Sequence, residues 1–194
     1  MDALRTWQWR VLSGLPISFF LLAVLHYLNQ GRPFELLWMC HVGNLILGLA
    51  ALARSRFWVT FSAIGVVTGF PYWIIDFAVT GFSSLPSTTA HVGGFLCSLL
   101  LLHFLRTHPR RTIWSYTLVW YLLLQQVVRV VAPLGTNANL ADWSQVYGRE
   151  LFSSYSQFWV ATTLLAVVSL WSVHRILLRQ FSMKAGKSDA ANSC

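Results

Sequence analysis

The chain of 194 residues is 56% hydrophobic and only 10% charged, whereas a typical soluble domain carries roughly 25% charged residues. This composition excludes an ordinary soluble domain and favours a membrane protein. The formal net charge of +8 does not indicate nucleic-acid binding, because the basic residues lie in short segments beside apolar runs and form no basic helix with interleaved aromatics. The three cysteines form no CxxC pair, so a disulfide scaffold is not expected.

Six apolar runs follow along the chain, each close to the roughly 20 residues that a helix needs to cross a membrane. The predicted spans are residues 11–28, 34–53, 57–79, 88–105, 112–131 and 156–178. The first run is long for the apolar core of a signal peptide, and no small-residue cleavage site follows it. We therefore predict an all-α, polytopic membrane helical bundle of about six transmembrane helices in a single domain, residues 1–180. The polar tail, residues 181–194, is predicted to be disordered.

The basic residues are distributed unevenly between the predicted loops. Eleven of the 14 Lys and Arg residues lie at the two termini or in the 2–3 and 4–5 links: Arg5, Arg10, Arg54, Arg56, Arg106, Arg110, Arg111, Arg175, Arg179, Lys184 and Lys187. Basic residues concentrate in cytoplasmic loops, and an even number of spans returns the chain to its starting side. Both termini are therefore predicted to be cytoplasmic, and we expect a multi-pass protein of the cell membrane, either an inner or a plasma membrane.

Polar side chains interrupt the apolar runs, and the predicted topology places them in the non-cytoplasmic half of the membrane. A charged residue in the hydrocarbon costs at least about 2.5–3.5 kcal/mol, so such residues usually pair, line a cavity or do chemistry. The residues concerned are Cys40, His41, Asn44, Asp76, His91, Gln125 and Arg129, joined by Asn137 and Asn139 in the loop after span 5. We expect them to form one polar pocket, mainly between spans 2 to 5. For Asp76 and Arg129, a purely structural ion pair is an equal alternative.

This set of side chains permits nucleophilic chemistry at lipid headgroup depth. Cys40 would be the nucleophile and His91 its base or acid, while Asp76 or Asn44 would orient an imidazole. An anionic headgroup or an oxyanion would be held by cationic and amide side chains. The substrate-binding candidates are Asn44, Gln125, Arg129, Asn137 and Asn139. This scheme corresponds to acyl transfer or to ester hydrolysis.

The two histidines also permit schemes that do not use the thiol. His41, His91 and Asp76 would bind a metal such as zinc, with water in the fourth position, as in a metal-dependent membrane hydrolase. No HxxxH or HExxH motif accompanies them, so the three ligands would have to meet in space. Alternatively, the two histidines would ligate haem or contact a quinone.

Residues 36–44, Leu-Leu-Trp-Met-Cys-His-Val-Gly-Asn, resemble the leucine-x-x-Cys segment of the YwaF-type integral membrane proteins. His91 at the start of a later span, and residues 135–140 after span 5, are similar in order and placement to that family's later His and Asn segments. The resemblance covers roughly residues 36–140. The family includes an animal cysteine-dependent phospholipid acyltransferase, so the resemblance implies Cys40 as the acyl acceptor and His91 as its partner.

The leading prediction is therefore an integral membrane, lipid-directed enzyme that transfers acyl groups or hydrolyses esters with Cys40, His41, Asp76 and His91. Membrane lipids are its expected partners. The alternatives are a non-enzymatic binding or redox subunit that holds a metal, haem or quinone on buried histidines, and a small transporter. The sequence specifies no particular substrate, cofactor or oligomeric state.

Overall fold

The computed structural model describes residues 6–81, 83–105, 110–133 and 151–191, with side chains described between residues 7 and 181. Every regular element in these ranges is helical, which confirms the predicted all-α class. In chain order the elements are α1 (Thr6–Asn29), a 3₁₀ helix (Pro33–Leu37), α2 (Met39–Leu52), α3 (Arg56–Thr80), α4 (Leu85–Thr88), a π-helix (Thr89–Gly93), α5 (Gly94–Phe104), α6 (Ile113–Val131) and α7 (Tyr155–Ala191).

Four segments in the described part of the chain are helical, long and apolar enough to cross a membrane. They are Trp7–Asn29, Arg56–Thr80, Leu85–Phe104 and Tyr155–Phe181, and they coincide with predicted spans 1, 3, 4 and 6. The helices that correspond to spans 2 and 5 differ from them. α2 has only 14 residues, and α6 carries two glutamines and an arginine near its end.

Span 2 was predicted as one helix over residues 34–53, and this prediction is wrong. The 3₁₀ helix begins at Pro33, and Trp38 then adopts an extended conformation, with ψ at 133°. The Glu35 carboxylate accepts hydrogen bonds from Arg32 at 2.7 Å and from the Trp38 indole at 2.6 Å. This local pairing favours a separate short turn before α2. Cys40 and His41 consequently lie in the first turn of α2 rather than inside a longer helix.

Two further helices differ from their predicted spans. The fourth span is continuous, but residues 89–93 within it form a π-helix, an unusual geometry that is frequent at functional sites. The last helix is longer than predicted, because the backbone of α7 continues to Ala191 through most of the segment that the sequence predicted to be disordered.

The first two helices are antiparallel and packed closely. The Trp9 indole near the start of α1 donates to the Ala51 carbonyl near the end of α2, at 3.1 Å. The Arg54 guanidinium lies 5.9 Å from the centre of the Trp9 ring. α3 packs against α2 and α5, and α6 and α7 pack against α3 and against each other.

The bundle therefore has two distinguishable ends. We call the end at which α1 and α3 end, and α2 and α4 begin, the His91 end. We call the opposite end, at which α2 ends and α3 begins, the Arg56 end. α6 also begins at the Arg56 end, because Tyr116 in its first turn contacts Phe57 in the first turn of α3, with ring centres 6.0 Å apart.

Candidate functional site

Cys40 and His91 meet across a glycine at the His91 end. A Cβ atom placed on Gly69 of α3 would lie 4.0 Å from the Cβ of Cys40 and 4.0 Å from Nε2 of His91. The two side chains thus border the same small space, which exists because residue 69 has no side chain. Cys40 is buried, with 7% of its surface exposed, and His91 is partly buried.

The His91 ring is held in one orientation and one tautomer. Its Nδ1 lies 2.8 Å from the Ser87 carbonyl oxygen, and because a carbonyl only accepts, Nδ1 must donate. The neutral ring then carries its lone pair on Nε2, which lies beside the Cβ position of Gly69 together with the adjacent Cδ2. Trp73, one turn after Gly69 on α3, stacks on the ring at 5.7 Å between ring centres, with an angle of 13° between planes. His91 is therefore arranged as a base whose accepting nitrogen points toward the space beside Cys40.

Asn44 connects the two helices that carry Cys40 and His91. Its Nδ2 donates to the Cys40 carbonyl at 2.8 Å and to the Ala90 carbonyl, within the π-helix, at 2.9 Å. The side chain is fully buried. It fits because a Cβ on Gly94 would lie only 2.5 Å from Oδ1 of Asn44. Both amide hydrogens are used in these bonds. Oδ1 has no hydrogen-bond partner in the described part of the chain, so it remains to accept from another group.

His41 is deeper in the bundle than His91. It is 2% exposed, and its ring lies edge-on to Tyr27 of α1, with 5.5 Å between ring centres. Nδ1 of His41 is buried and has no hydrogen-bond partner among the described residues. α1 also packs against α4. α1 therefore borders the site through Tyr27, on the side of His41.

Asp76 lies beside this cluster, whereas the other charged and amide candidates lie outside it. Asp76 is exposed on α3, about one turn beyond Trp73, and is close enough to His91 to interact with it electrostatically. Gln125 is fully buried against α7, where its Oε1 accepts from the Trp159 indole at 2.9 Å. The Arg129 guanidinium lies 3.7 Å from the centre of the Tyr155 ring. Asn137 and Asn139 lie outside the described residues.

Two predicted arrangements of these groups do not occur in the described part of the chain. Asp76 and Arg129 do not form an ion pair in the described residues. The ion pair found among those residues joins Arg32 to Glu35 at 2.7 Å. Nor do any three His, Cys, Asp or Glu side chains among the described residues come close enough together to hold a metal ion. The arrangement of His41, His91 and Asp76 as three metal ligands therefore has no geometric support.

Three residues of the site were not recognised as such in the sequence. Gly69 and Trp73 are four residues apart and share a face of α3 with Asp76. Because Asp76 was already a candidate, this spacing could have identified Gly69 and Trp73 from the sequence. Tyr27 had no such signal, because its contact with His41 depends on how α1 packs against α2. The three residues supply space, a stacking surface and a closing wall, respectively.

Comparisons with known proteins do not add a relative from which function could be transferred. No family model matches the chain, no similar curated protein was found, and no solved structure matches it. The resemblance of residues 36–44 to the YwaF-type proteins therefore stays a prediction, and the functional argument depends on the geometry of the site.

Proposed function

We propose that the chain crosses the cell membrane six times, as an inner- or plasma-membrane protein, with both termini in the cytoplasm and the His91 end on the other side. The distribution of described arginines supports this orientation. Arg10, Arg54, Arg56, Arg110, Arg111, Arg175 and Arg179 belong to the Arg56 end of their helices, whereas Arg32 and Arg129 belong to the His91 end. Positive residues favour the cytoplasmic side. The pair of Cys40 and His91 then lies near the non-cytoplasmic headgroups.

We infer that the protein is a lipid-directed enzyme that transfers or hydrolyses an acyl ester, with Cys40 as nucleophile and His91 as base. The observation that carries this proposal is the shared space at Gly69, where the thiol-bearing side chain and the accepting nitrogen of His91 lie on the same side of α3. A nucleophile and a base, with the base oriented by a third group, form the arrangement used for covalent catalysis. Here the third group is the Ser87 carbonyl.

The reaction would proceed in two steps. In the first, Nε2 of His91 takes the thiol proton as sulfur attacks the ester carbonyl; the ester C–O bond breaks, and the leaving alcohol receives the proton from His91. In the second, His91 activates water or an acceptor alcohol, which attacks the thioester and releases Cys40. Cys40 is the second residue of α2, and the positive N-terminal end of a helix dipole favours negative charge on a nearby sulfur.

The other candidate residues have supporting roles in this proposal. Arg129 and Asp76 are exposed at the His91 end and would contact the charged headgroup of the lipid. Asn137 and Asn139 are retained as headgroup-binding candidates from the sequence. Asn44 would act by fixing the distance between α2 and the π-helix, because its amide is already committed to Cys40 and Ala90.

The decisive experiment is to trap the acyl-enzyme. Purified protein is incubated with phosphatidylglycerol that carries a fluorescent acyl chain, quenched in acid and analysed by peptide mass spectrometry. We expect a hydroxylamine-sensitive acyl group on Cys40, absent in Cys40→Ser. Cys97→Ser is the matched control, because Cys97 is also buried but lies in the apolar core. His91→Gln should slow acylation by about 10²–10⁴-fold. A hydroxylamine-sensitive adduct that persists in Cys40→Ser, or release of the acyl chain by Cys40→Ser at the rate of the natural chain, would refute the thiol mechanism.

A second candidate function is non-enzymatic binding of a quinone, and one observation favours it. Nδ1 of His41 is buried and no group that the structure describes forms a hydrogen bond with it. Such a nitrogen costs about 1–3 kcal/mol unless a ligand or water satisfies it. A quinone carbonyl would accept a hydrogen bond from this nitrogen. Organic extraction of the purified protein, followed by redox difference spectroscopy, distinguishes the two functions. A stoichiometric quinone that is lost in His41→Leu and kept in Cys40→Ser would favour the second.

A further inference from the structure

An apolar groove of about 420 Å³ lies near the Arg56 end, away from Cys40 and His91. Three helices contribute to it: α2, α3 and α6. Its lining residues are Ile46, Phe57, Trp58, Phe61, Tyr116, Val119, Trp120 and Leu123. Phe57 and Trp58 belong to the first turn of α3, whereas Gly69 lies about three turns further along that helix. The volume is within the range of sites that bind small molecules, roughly 300–1,000 Å³.

The groove has walls that are held in place by ring contacts. Phe57 and Phe61 of α3 are stacked, with ring centres 6.4 Å apart. Phe61 meets Trp120 of α6 at 6.5 Å, and Phe57 meets Tyr116 at 6.0 Å. Contacts of this kind contribute about 0.5–1.5 kcal/mol each beyond burial. The concave shape is thus a property of the packed helices rather than of one movable side chain.

The groove is open along its length and apolar throughout. About half of the surface of Trp58, Tyr116, Val119 and Leu123 is exposed, between 49% and 56%. In a bundle that crosses a membrane, this open side faces acyl chains. A site with such walls fits an extended hydrocarbon chain better than a polar ligand.

The mouth of the groove is positively charged. Arg56 is the first residue of α3, immediately before Phe57. Arg110 and Arg111 lie three and two residues before the start of α6. All three arginines are exposed. Of the carboxylates whose side chains the structure describes, Glu35 and Asp76 both lie at the His91 end. No described carboxylate therefore compensates the three arginines. Basic residues beside a membrane-embedded groove attract anionic lipid headgroups.

We propose that this groove binds an anionic phospholipid of the leaflet at the Arg56 end, with one acyl chain along Phe57, Trp58 and Val119 and the phosphate against Arg56, Arg110 and Arg111. Trp58 lies two residues after Arg56 and Tyr116 five residues after Arg111, close to the depth at which aromatic side chains meet the headgroup boundary. This lipid is structural or regulatory, and its binding does not depend on the proposed reaction at Cys40.

Native mass spectrometry of the full chain, with added phosphatidylglycerol or phosphatidylcholine, tests the proposal. We expect one tightly held phosphatidylglycerol per chain and weaker binding of phosphatidylcholine. Val119→Trp fills the groove and should weaken lipid binding at least about tenfold. Leu164→Trp is the control, because Leu164 is a similarly exposed apolar residue, on α7 and outside the groove. Replacing Arg56, Arg110 and Arg111 with glutamine should reduce the preference for phosphatidylglycerol by about fivefold per arginine.

Three outcomes would overturn the proposal. If Val119→Trp binds phosphatidylglycerol as tightly as the natural chain does, the lipid lies elsewhere. An unchanged preference for phosphatidylglycerol in the triple glutamine variant would show that the arginines do not recognise the headgroup. A lipid-free dimer whose contact is broken by Val119→Trp would show that the groove receives a second copy of the chain. The arginine variants alter exposed positions, so the headgroup test does not depend on repacking the groove.

Discussion

At Gly69, the absence of a side chain determines whether Cys40 and His91 can share one reactant. Both lie 4.0 Å from the position of a Cβ on this residue, a distance of ordinary van der Waals contact. A single methyl group therefore fits, whereas a larger side chain would occupy the space in which an ester carbonyl must lie. Gly69 is for this reason a test of the site that leaves both reacting residues intact.

We expect Gly69→Ala and Gly69→Leu to behave differently. Alanine should leave the melting temperature unchanged or raise it, because glycine costs a helix interior about 1 kcal/mol relative to alanine. Leucine should abolish acylation of Cys40 and slow its alkylation by N-ethylmaleimide. Melting in detergent and the labelling rate are the two measurements. Equal acylation in both variants would mean that the substrate does not approach through this space.

The sequence predicted the depth of the candidate residues along their helices better than it predicted the directions of their side chains. Cys40, His41, Asn44 and His91 meet, because their places in the sequence put them near one end of their helices. Gln125 belongs to the same end but faces Trp159. Depth along a helix follows from residue count at about 1.5 Å per residue, whereas rotation about the axis is fixed by packing between helices, which one sequence does not reveal.

At the scale of elements, two departures from regular α-helix shape the site. Hydropathy could not reveal the break at Trp38, because Leu36, Leu37 and Met39 are as apolar as the helix that follows. Only the pairing of Glu35 with its neighbours explains it. The π-helix at Thr89–Gly93 is equally invisible in composition, yet it supplies the Ala90 carbonyl that Asn44 binds.

The packing of α1 on α2 depends on Gly48. A Cβ there would lie 2.8 Å from the Ser13 carbonyl oxygen and 2.5 Å from the Ile17 side chain. The backbone atom cannot move independently, so the helices would have to separate. Gly48→Ala should destabilise the protein by about 1–3 kcal/mol, measured by unfolding in detergent mixtures. Gly14→Ala on α1 is the matched control, because nothing lies within 4 Å of its Cβ position. Equal stability of the two variants would contradict the close packing.

For the whole molecule, charge and contacts distinguish the two ends of the bundle. Tyr116 beside Phe57 places the start of α6 at the Arg56 end, and Val128 packed against Leu37 and Trp38 places its end at the His91 end. Helix direction thus alternates at α6 as the six-span prediction requires. The sequence predicted this alternation because the direction of each helix follows from the number of apolar runs before it. That number does not depend on how each helix is rotated about its axis.

The orientation in the membrane can be tested with single cysteines. In a chain whose three native cysteines are replaced by serine, Gln30→Cys and Ala53→Cys each introduce a thiol at an exposed position, at the His91 end and the Arg56 end respectively. A maleimide that does not cross membranes should label Gln30→Cys in intact cells. It should label Ala53→Cys only after permeabilisation, because the arginines beside it favour the cytoplasm.

The reverse pattern would place Cys40 and His91 near the cytoplasmic leaflet, and an acyl donor would then have to come from that leaflet. Labelling of both variants in intact cells would mean that α2 does not cross the membrane, since Gln30 and Ala53 flank it.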